Sequence, residues 1–112
     1  MSQFEEKIAL YESEARRLNL EIDTELLRKV TRYLGPSIYN ADSEKVACSD
    51  PKELARIKEN FLIGKLGLKD GPELGQVLER VCDEYELKTK YRSIFYYILI
   101  AKFQIDSDNF LG

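Results

Sequence analysis

The sequence predicts an all-α protein: a single compact domain of five main helices plus a short helical turn, with the last helix at its centre. Apolar residues recur at helical spacing in successive segments, and residues typical of helix starts and stops separate those segments. The connections are short, as they are between packed helices. A chain of 112 residues, of which 44% are hydrophobic, can form one domain whose core requires no disulfide or metal.

Capping and breaking residues delimit the first two helices. Ser2 and Glu5 have the spacing of a capping box, so the first helix is predicted to begin there. Asp23 is a suitable N-cap for the second helix, and Gly35-Pro36 stops it. The apolar stripe of the first helix comprises Phe4, Ile8, Tyr11, Ala15 and Leu18.

The middle of the chain is less regular. Asp42 is predicted to cap the short helical turn, which lies within residues 42–48. Asp50 then caps the third helix, with Pro51 at the first helical position and Glu53 at the third, where a capping box would place it. The stretch between the second and third helices is therefore predicted to hold a loop and one turn.

The last two helices differ in character. Gly67 is predicted to end the third helix in a Schellman motif, and Pro72 to begin the fourth. Thr89 is predicted to cap the last helix, which covers Lys90 to Ile105. Apolar residues surround this helix in nearly all directions, which indicates a helix buried in the middle of the fold or shared with a partner. We expect residues 106–112 to form a frayed tail.

Composition argues against several classes of chemistry. The chain has no His, the usual acid–base group at neutral pH, so we predict no catalytic residue, no metal site and no cofactor. We interpret Cys48 and Cys82 as two reduced thiols, because free Cys commonly behaves as a small hydrophobe. The longest apolar run, Ile94–Ala101, is far shorter than the ~20 residues of a membrane span. We therefore expect a cytoplasmic protein without a membrane contact.

The loop at residues 36–42 is the first candidate for binding. It places a phenol, an amide and a carboxylate close together. In the structural interpretation, Ile38 and Tyr39 pack inward while Asn40 and Asp42 bond local backbone. In the functional interpretation, Tyr39, Asn40 and Asp42 belong to a recognition surface for a peptide or a small polar ligand, because loops on a rigid scaffold often have that role.

A basic segment is the second candidate. Acidic residues dominate positions 71–87, whereas positions 88–105 contain basic residues and no acid. One interpretation is two adjacent helices that pair opposite charges at their surfaces, where each exposed pair contributes little. The other is a patch that contacts phosphates and offers a ring for stacking. The residues of this patch would be Lys88, Lys90, Tyr91 and Arg92.

Distinctive strings occur along the chain between about residues 5 and 105. They are LGPSIYN from Leu34 with Asp42 behind it, NFL from Asn60, KLGL from Lys65, and KYR followed by FYY from Lys90. Together they resemble a family of small bacterial proteins that is classed only as a domain of unknown function. The resemblance implies a single all-helical domain. No established activity comes with the family, so no residue role transfers to this chain.

Three functional hypotheses follow. The first is a non-enzymatic module that binds a protein partner or associates with itself, suggested by the missing catalytic groups and the all-round apolar last helix. The second is a nucleic-acid-binding protein that uses the basic segment, which the net charge of −3 disfavours. The third is a small-ligand binder or an enzyme centred on the loop at 36–42. We favour the first.

Overall fold

Helices joined by short connections form the protein in this computed structural model, which describes residues 2–86 and 88–105. The elements are α1 (Gln3–Arg17), α2 (Thr24–Leu34), a 3₁₀ helix (Gly35–Tyr39), α3 (Pro51–Arg56) continued by a π-helix (Ile57–Lys65), α4 (Pro72–Glu84) and α5 (Arg92–Lys102). The prediction of an all-α globule with five main helices is confirmed. The expected tail at 106–112 lies outside the described residues.

The predicted N-caps of α1, α2 and α3 are present. The hydroxyl of Ser2 and the carboxylates of Asp23 and Asp50 each accept a backbone N–H from two or three residues further on. These bonds satisfy amides that have no acceptor within their own helix. Neither predicted capping box is completed, because the carboxylates of Glu5 and Glu53 bind arginines instead.

Residues with a positive φ end four of the helices, and Gly35 after α2 is one of them. Asn19, Gly67 and Gln104 have φ values of 59°, 72° and 55°. The predicted Schellman-type ending is found after Gly67, where the N–H of Leu68 donates to the carbonyl of Leu62 at 3.0 Å. This closing bond spans one residue more than usual because the helix that it ends is a π-helix.

The last helix, α5, is the centre of the fold, as predicted. It packs against α1, α2 and α4. Most of its apolar residues are therefore covered by the protein itself, whereas Ile98 is half-buried and lines a groove. Its buried residues are Ser93, Ile94, Phe95, Tyr96, Tyr97, Leu99 and Ile100. None of the helices in the described part of the chain has the length and apolar character needed to cross a membrane.

The short helical turn lies earlier in the chain than the sequence indicated. It is the 3₁₀ helix Gly35–Tyr39, which follows α2 because Gly35 adopts φ 62° and Pro36 is suited to the first position of a helix. Within 42–48, the backbone instead pairs with residues 90–92: Val46 N–H donates to the Lys90 carbonyl at 2.8 Å. The carbonyl of Glu44 accepts the N–H of Arg92 at 2.7 Å.

This pairing also moves the start of the last helix. The backbone at 90–92 is used in the contact with the 44–46 segment, so α5 begins at Arg92 rather than at Lys90. Tyr91 occupies the N-cap position, and its side chain makes no capping bond. Thr89, the predicted cap, lies two residues too early to reach the first turn.

Cys48 and Cys82 form a disulfide, which corrects the expectation of two reduced thiols. Their Cα atoms are 5.9 Å apart, although 34 positions separate them in sequence. The bridge joins the segment before α3 to the end of α4. Both residues are half-buried and pack against the edge of the core. The sequence carried no sign of their proximity, because it depends on how α3 and α4 pack.

Candidate functional site

A polar groove of about 450 Å³ lies where the loop after the 3₁₀ helix, the α3–π-helix unit and the first turns of α5 meet. This size falls within the range of ligand sites. The polar groove brings together Asp42, from the candidate loop, and Arg92, from the candidate basic segment. Its lining residues are Ser37, Asp42, Ser43, Glu53, Arg56, Ile57, Asn60, Arg92 and Tyr96.

Arg92 forms the base of the polar groove. Its Nε donates to the Ser43 carbonyl at 2.7 Å, and its Nη2 donates to the Lys45 carbonyl at 3.0 Å. The same Nη2 forms an ion pair with a carboxylate oxygen of Glu53. The Arg92 side chain is only 14% exposed. Its planar set of donors thus ties the loop, α3 and α5 together, and its charge is committed to the protein itself.

Glu53 is held between two arginines. One oxygen binds Arg92, and the other accepts a hydrogen bond from Nη2 of Arg56 at 3.0 Å. The Glu53 side chain is 10% exposed, whereas that of Arg56 is 62% exposed and keeps N–H groups for an external acceptor. The carboxylate of Glu53 pairs with Arg92 instead of capping the helix, because a buried guanidinium is costly without an opposite charge beside it.

Tyr96 supplies a hydrogen-bond donor to the polar groove. Its hydroxyl accepts a bond from Nη1 of Arg92 at 3.2 Å, so its own proton is available to an acceptor. Stacking on Phe61, with ring centroids 4.1 Å apart, holds the ring in place. Burial raises the pKa of Tyr96, an effect that Arg92 partly opposes. Burial also disfavours the cation of Arg92, but Tyr96 and Glu53 outweigh it and raise the pKa of Arg92.

The candidate loop is exposed. Ile38 packs inward as expected, but Tyr39 does not: its side chain is 46% exposed. Asn40 Oδ1 accepts the N–H of Asp42 at 2.9 Å, which confirms the local backbone bond predicted for Asn40. The local backbone bond predicted for the Asp42 side chain is not found among the described residues. The exposed carboxylate of Asp42 has no hydrogen bond or ion pair with any residue that the structure describes, and it lines the polar groove.

The basic segment is dispersed over the surface and the interior. Lys88 is exposed, and the ammonium group of Lys90 lies 5.7 Å from the ring centre of Tyr85. The ring of Tyr91 packs against another tyrosine ring at 5.3 Å, and Arg92 points into the polar groove. Nucleic-acid binding by these residues stays a prediction. An affinity that does not fall as salt rises would contradict it, because phosphate contacts are salt-sensitive.

A second buried carboxylate lies behind the loop. Glu44 accepts a hydrogen bond from the Tyr11 hydroxyl at 2.6 Å and pairs with Lys7 Nζ at 2.8 Å. Burial, followed by the bond to Glu44, raises the pKa of Tyr11. Glu44 thereby anchors the loop to α1. Among residues 2–86 and 88–105, no group of three or more potential ligands could hold a metal ion.

Sequence reasoning missed much of the polar groove. Glu53 was interpreted as a capping residue, while Arg56, Asn60 and Tyr96 drew no functional interpretation. Asn60 belongs to the π-helix, a rare conformation that is frequent at functional sites. Apolar spacing predicts a helix over this region, but it does not distinguish π from α geometry. The one sequence signal for this part of the groove was the spacing of Glu53 and Arg56, which are three residues apart and therefore neighbours on a helix.

One family model matches the chain. Residues 10–107 match the family described as "Protein of unknown function (DUF2853)". Among curated proteins, none matches this chain. The matched range contains every residue that lines the polar groove. Because the match covers most of the chain, this protein belongs to the DUF2853 family of unknown function.

Proposed function

We propose that this chain is a non-enzymatic module that binds another protein through its 3₁₀ helix and the adjoining polar groove. The observation that carries the proposal is the exposure of Tyr39. Among the described residues, it is the only large hydrophobic side chain that is exposed. Tyrosine is enriched among the residues that dominate binding energy at protein interfaces, because it combines a large apolar ring with a polar end.

The backbone that presents Tyr39 is held in place. Its neighbour Ile38 is buried, and the Ser37 hydroxyl donates to the Leu34 carbonyl at 2.8 Å. The hydroxyl of Ser43 donates to the Ser37 carbonyl, also at 2.8 Å. A surface that is already ordered loses little entropy when a partner binds, so more of the contact energy appears as affinity.

The charged groups beside the 3₁₀ helix suit a polar rim. Asp42 offers a carboxylate that has no partner among the described residues, and Arg56 offers N–H groups beyond its bond to Glu53. Such rim charges contribute to partner choice and to association rate. The apolar faces of α5 suggested self-association, but most of their residues are buried against α1, α2 and α4. We therefore take a different protein as the partner.

Site-specific photo-crosslinking in the native host tests this proposal. A photoreactive phenylalanine analogue replaces Tyr39 in one strain and Gln76, an exposed residue of α4, in the control strain. We expect one stoichiometric adduct from position 39 that survives nuclease and is absent from position 76. Equal crosslinking at both positions, or none at position 39, would contradict the proposal.

Once the partner is identified, Tyr39→Ala tests quantitatively how much Tyr39 contributes to its affinity. Truncating an interface anchor costs about 2 kcal/mol or more, which is about a thirty-fold loss of affinity. Because Tyr39 is exposed, the same change should leave stability within about 0.5 kcal/mol. Calorimetric titration measures the affinity, and urea unfolding measures the stability. An unchanged affinity would exclude Tyr39 as the anchor.

A small-ligand role is the second candidate, and the geometry of the polar groove favours it. The exposed carboxylate of Asp42 and the hydroxyl donor of Tyr96 line the same cavity. Ligand-observed NMR with a library of small polar compounds tests this role. A genuine ligand should lose affinity in Asp42→Asn and keep it in the control Asp83→Asn, which lies on the exposed face of α4. Equal losses would argue against the groove.

A further inference from the structure

The disulfide anchors a segment whose hydrogen bonds to other described residues are all local. We call residues 47–52, which lead from Cys48 into α3, the bridge segment. Its hydrogen bonds are local: Asp50 N–H donates to the Ala47 carbonyl at 3.0 Å, and Lys52 N–H donates to Asp50 Oδ1 at 3.0 Å. Among the described residues, no hydrogen bond joins the bridge segment to a distant part of the chain. The disulfide to Cys82 therefore links the bridge segment covalently to α4.

The bridge segment leads directly to the polar groove. Val46, immediately before it, is bonded to the Lys90 carbonyl at 2.8 Å. Glu53, immediately after it, carries the carboxylate that pairs with Arg92 at the base of the groove. A movement of the bridge segment therefore acts on α3 at its first turn, where Glu53 lies.

The buried core cluster consists of residues other than the two cysteines. Phe95, Leu27 and Phe61 are at most 1% exposed, and they belong to one contiguous cluster. The two cysteines pack against the edge of that cluster, and both residues are half-buried. A chain of this size with such a core does not belong to the small domains that need disulfides to fold.

We infer that Cys48–Cys82 is a reversible thiol–disulfide site whose oxidation state sets the order of the bridge segment and the position of Glu53 in the polar groove. In the oxidised protein, the bond holds the segment against α4. In the reduced protein, the segment keeps only its local bonds, and the fold persists on its core. This inference goes beyond the proposed function and needs no partner to be tested.

The reductant is a dithiol. One thiolate of the dithiol attacks a bridge sulfur; the S–S bond breaks, and the released cysteine sulfur takes up a proton. The second thiolate then displaces the other cysteine from the mixed disulfide, and that sulfur is protonated in turn. The two cysteines gain two electrons and two protons, and the dithiol becomes a disulfide. Glutathione disulfide reverses the change by oxidising the two thiols.

Backbone ¹⁵N relaxation of the whole chain, before and after treatment with dithiothreitol, tests the inference. We expect order parameters in residues 47–52 to fall from about 0.85 to below about 0.6, while those of α2 stay near 0.85. The side-chain Nε–H resonance of Arg92 should shift, because its carboxylate partner moves. Glutathione disulfide should restore the original spectrum. Order parameters, unlike amide exchange of the core, do not change when global stability alone decreases.

A variant that lacks both cysteines separates the effect of losing the disulfide from other effects of dithiothreitol on the protein. Cys48→Ser with Cys82→Ser should reproduce the spectrum of the reduced protein and should not respond to dithiothreitol. The inference is overturned if the reduced protein and the double variant are unfolded, since the bridge would then be part of the scaffold. It is equally overturned if residues 47–52 and Arg92 give unchanged signals, or if oxidation does not restore them.

Discussion

Two residues of α5 should respond very differently to the same truncation. Phe95 is fully buried in the core cluster. Ile98, three residues later, is half-buried and faces an apolar groove that Leu18 and Tyr97 also line. Apolar spacing alone predicts a cost of about 2–5 kcal/mol for either residue. The structure separates them, because only one of the two side chains is enclosed on every side.

The burial of each side chain sets the expected magnitude. Phe95→Ala should lower the free energy of unfolding by about 3–5 kcal/mol, since it removes a whole ring and leaves a cavity. Ile98→Ala should cost about 1–2 kcal/mol, because part of the side chain already contacts water and no closed cavity forms. At about 2.1 cal/mol/K of unfolding entropy per residue, these costs correspond to Tm decreases of about 13–21 °C for Phe95→Ala and about 4–9 °C for Ile98→Ala.

Urea unfolding followed by circular dichroism measures both costs, with the slope of the transition as a check on two-state behaviour. Equal costs would refute the reasoning. They would mean that a second molecule covers the Ile98 face in solution, so the Tm of the unaltered protein would depend on its concentration. A concentration-independent Tm together with unequal costs supports the burial seen in the structure.

The remaining predictions concern polar groups and the disulfide. Reducing Cys48–Cys82 opens a covalent loop closed across 34 positions, so it should lower the unfolding free energy by about 4 kcal/mol. Urea unfolding with and without dithiothreitol measures this loss. A loss under about 1 kcal/mol would contradict the argument from loop entropy. Arg92→Lys should lower the free energy of unfolding by about 2–4 kcal/mol, because an ammonium group cannot reproduce the forked hydrogen bonds of Arg92. The control Lys88→Ala should lower it by less than about 0.5 kcal/mol. Similar losses in the two variants would contradict the inward role of Arg92. Burial raises the pKa of Tyr85 to about 12, so between about pH 10 and 12 the unfolded chain loses a proton that the native chain keeps, and stability falls as pH rises. In thermal unfolding at these pH values, Tyr85→Phe should show a shallower decrease, and an identical decrease would count against this assignment.

The local structure of the chain was largely predictable because it depends on neighbouring residues. Ser2, Asp23 and Asp50 cap their helices through bonds that reach only two or three positions. The ending at Gly67 likewise depends on one residue that adopts a positive φ without strain. The central position of α5 followed from its composition, since a helix that is apolar on every side must be covered.

The polar groove was not predictable in this way, because it joins residues that are far apart in sequence. Whether Arg92 is a surface cation or a buried bond donor depends on the carbonyls of Ser43 and Lys45, which approach it only in the folded chain. Glu53 suits a capping box by its spacing, but a buried guanidinium nearby is the stronger partner for its carboxylate.

The sequence alone therefore determined the fold class, most helix boundaries and the identity of the central helix, because periodicity and capping are short-range effects. Only the tertiary structure decided the pairing of Cys48 with Cys82, the inward turn of Arg92 and the exposure of Tyr39. Each of these depends on which surfaces meet when the helices pack. Which surfaces meet depends on contacts between residues far apart in sequence, and residue types and local spacing alone do not predict those contacts.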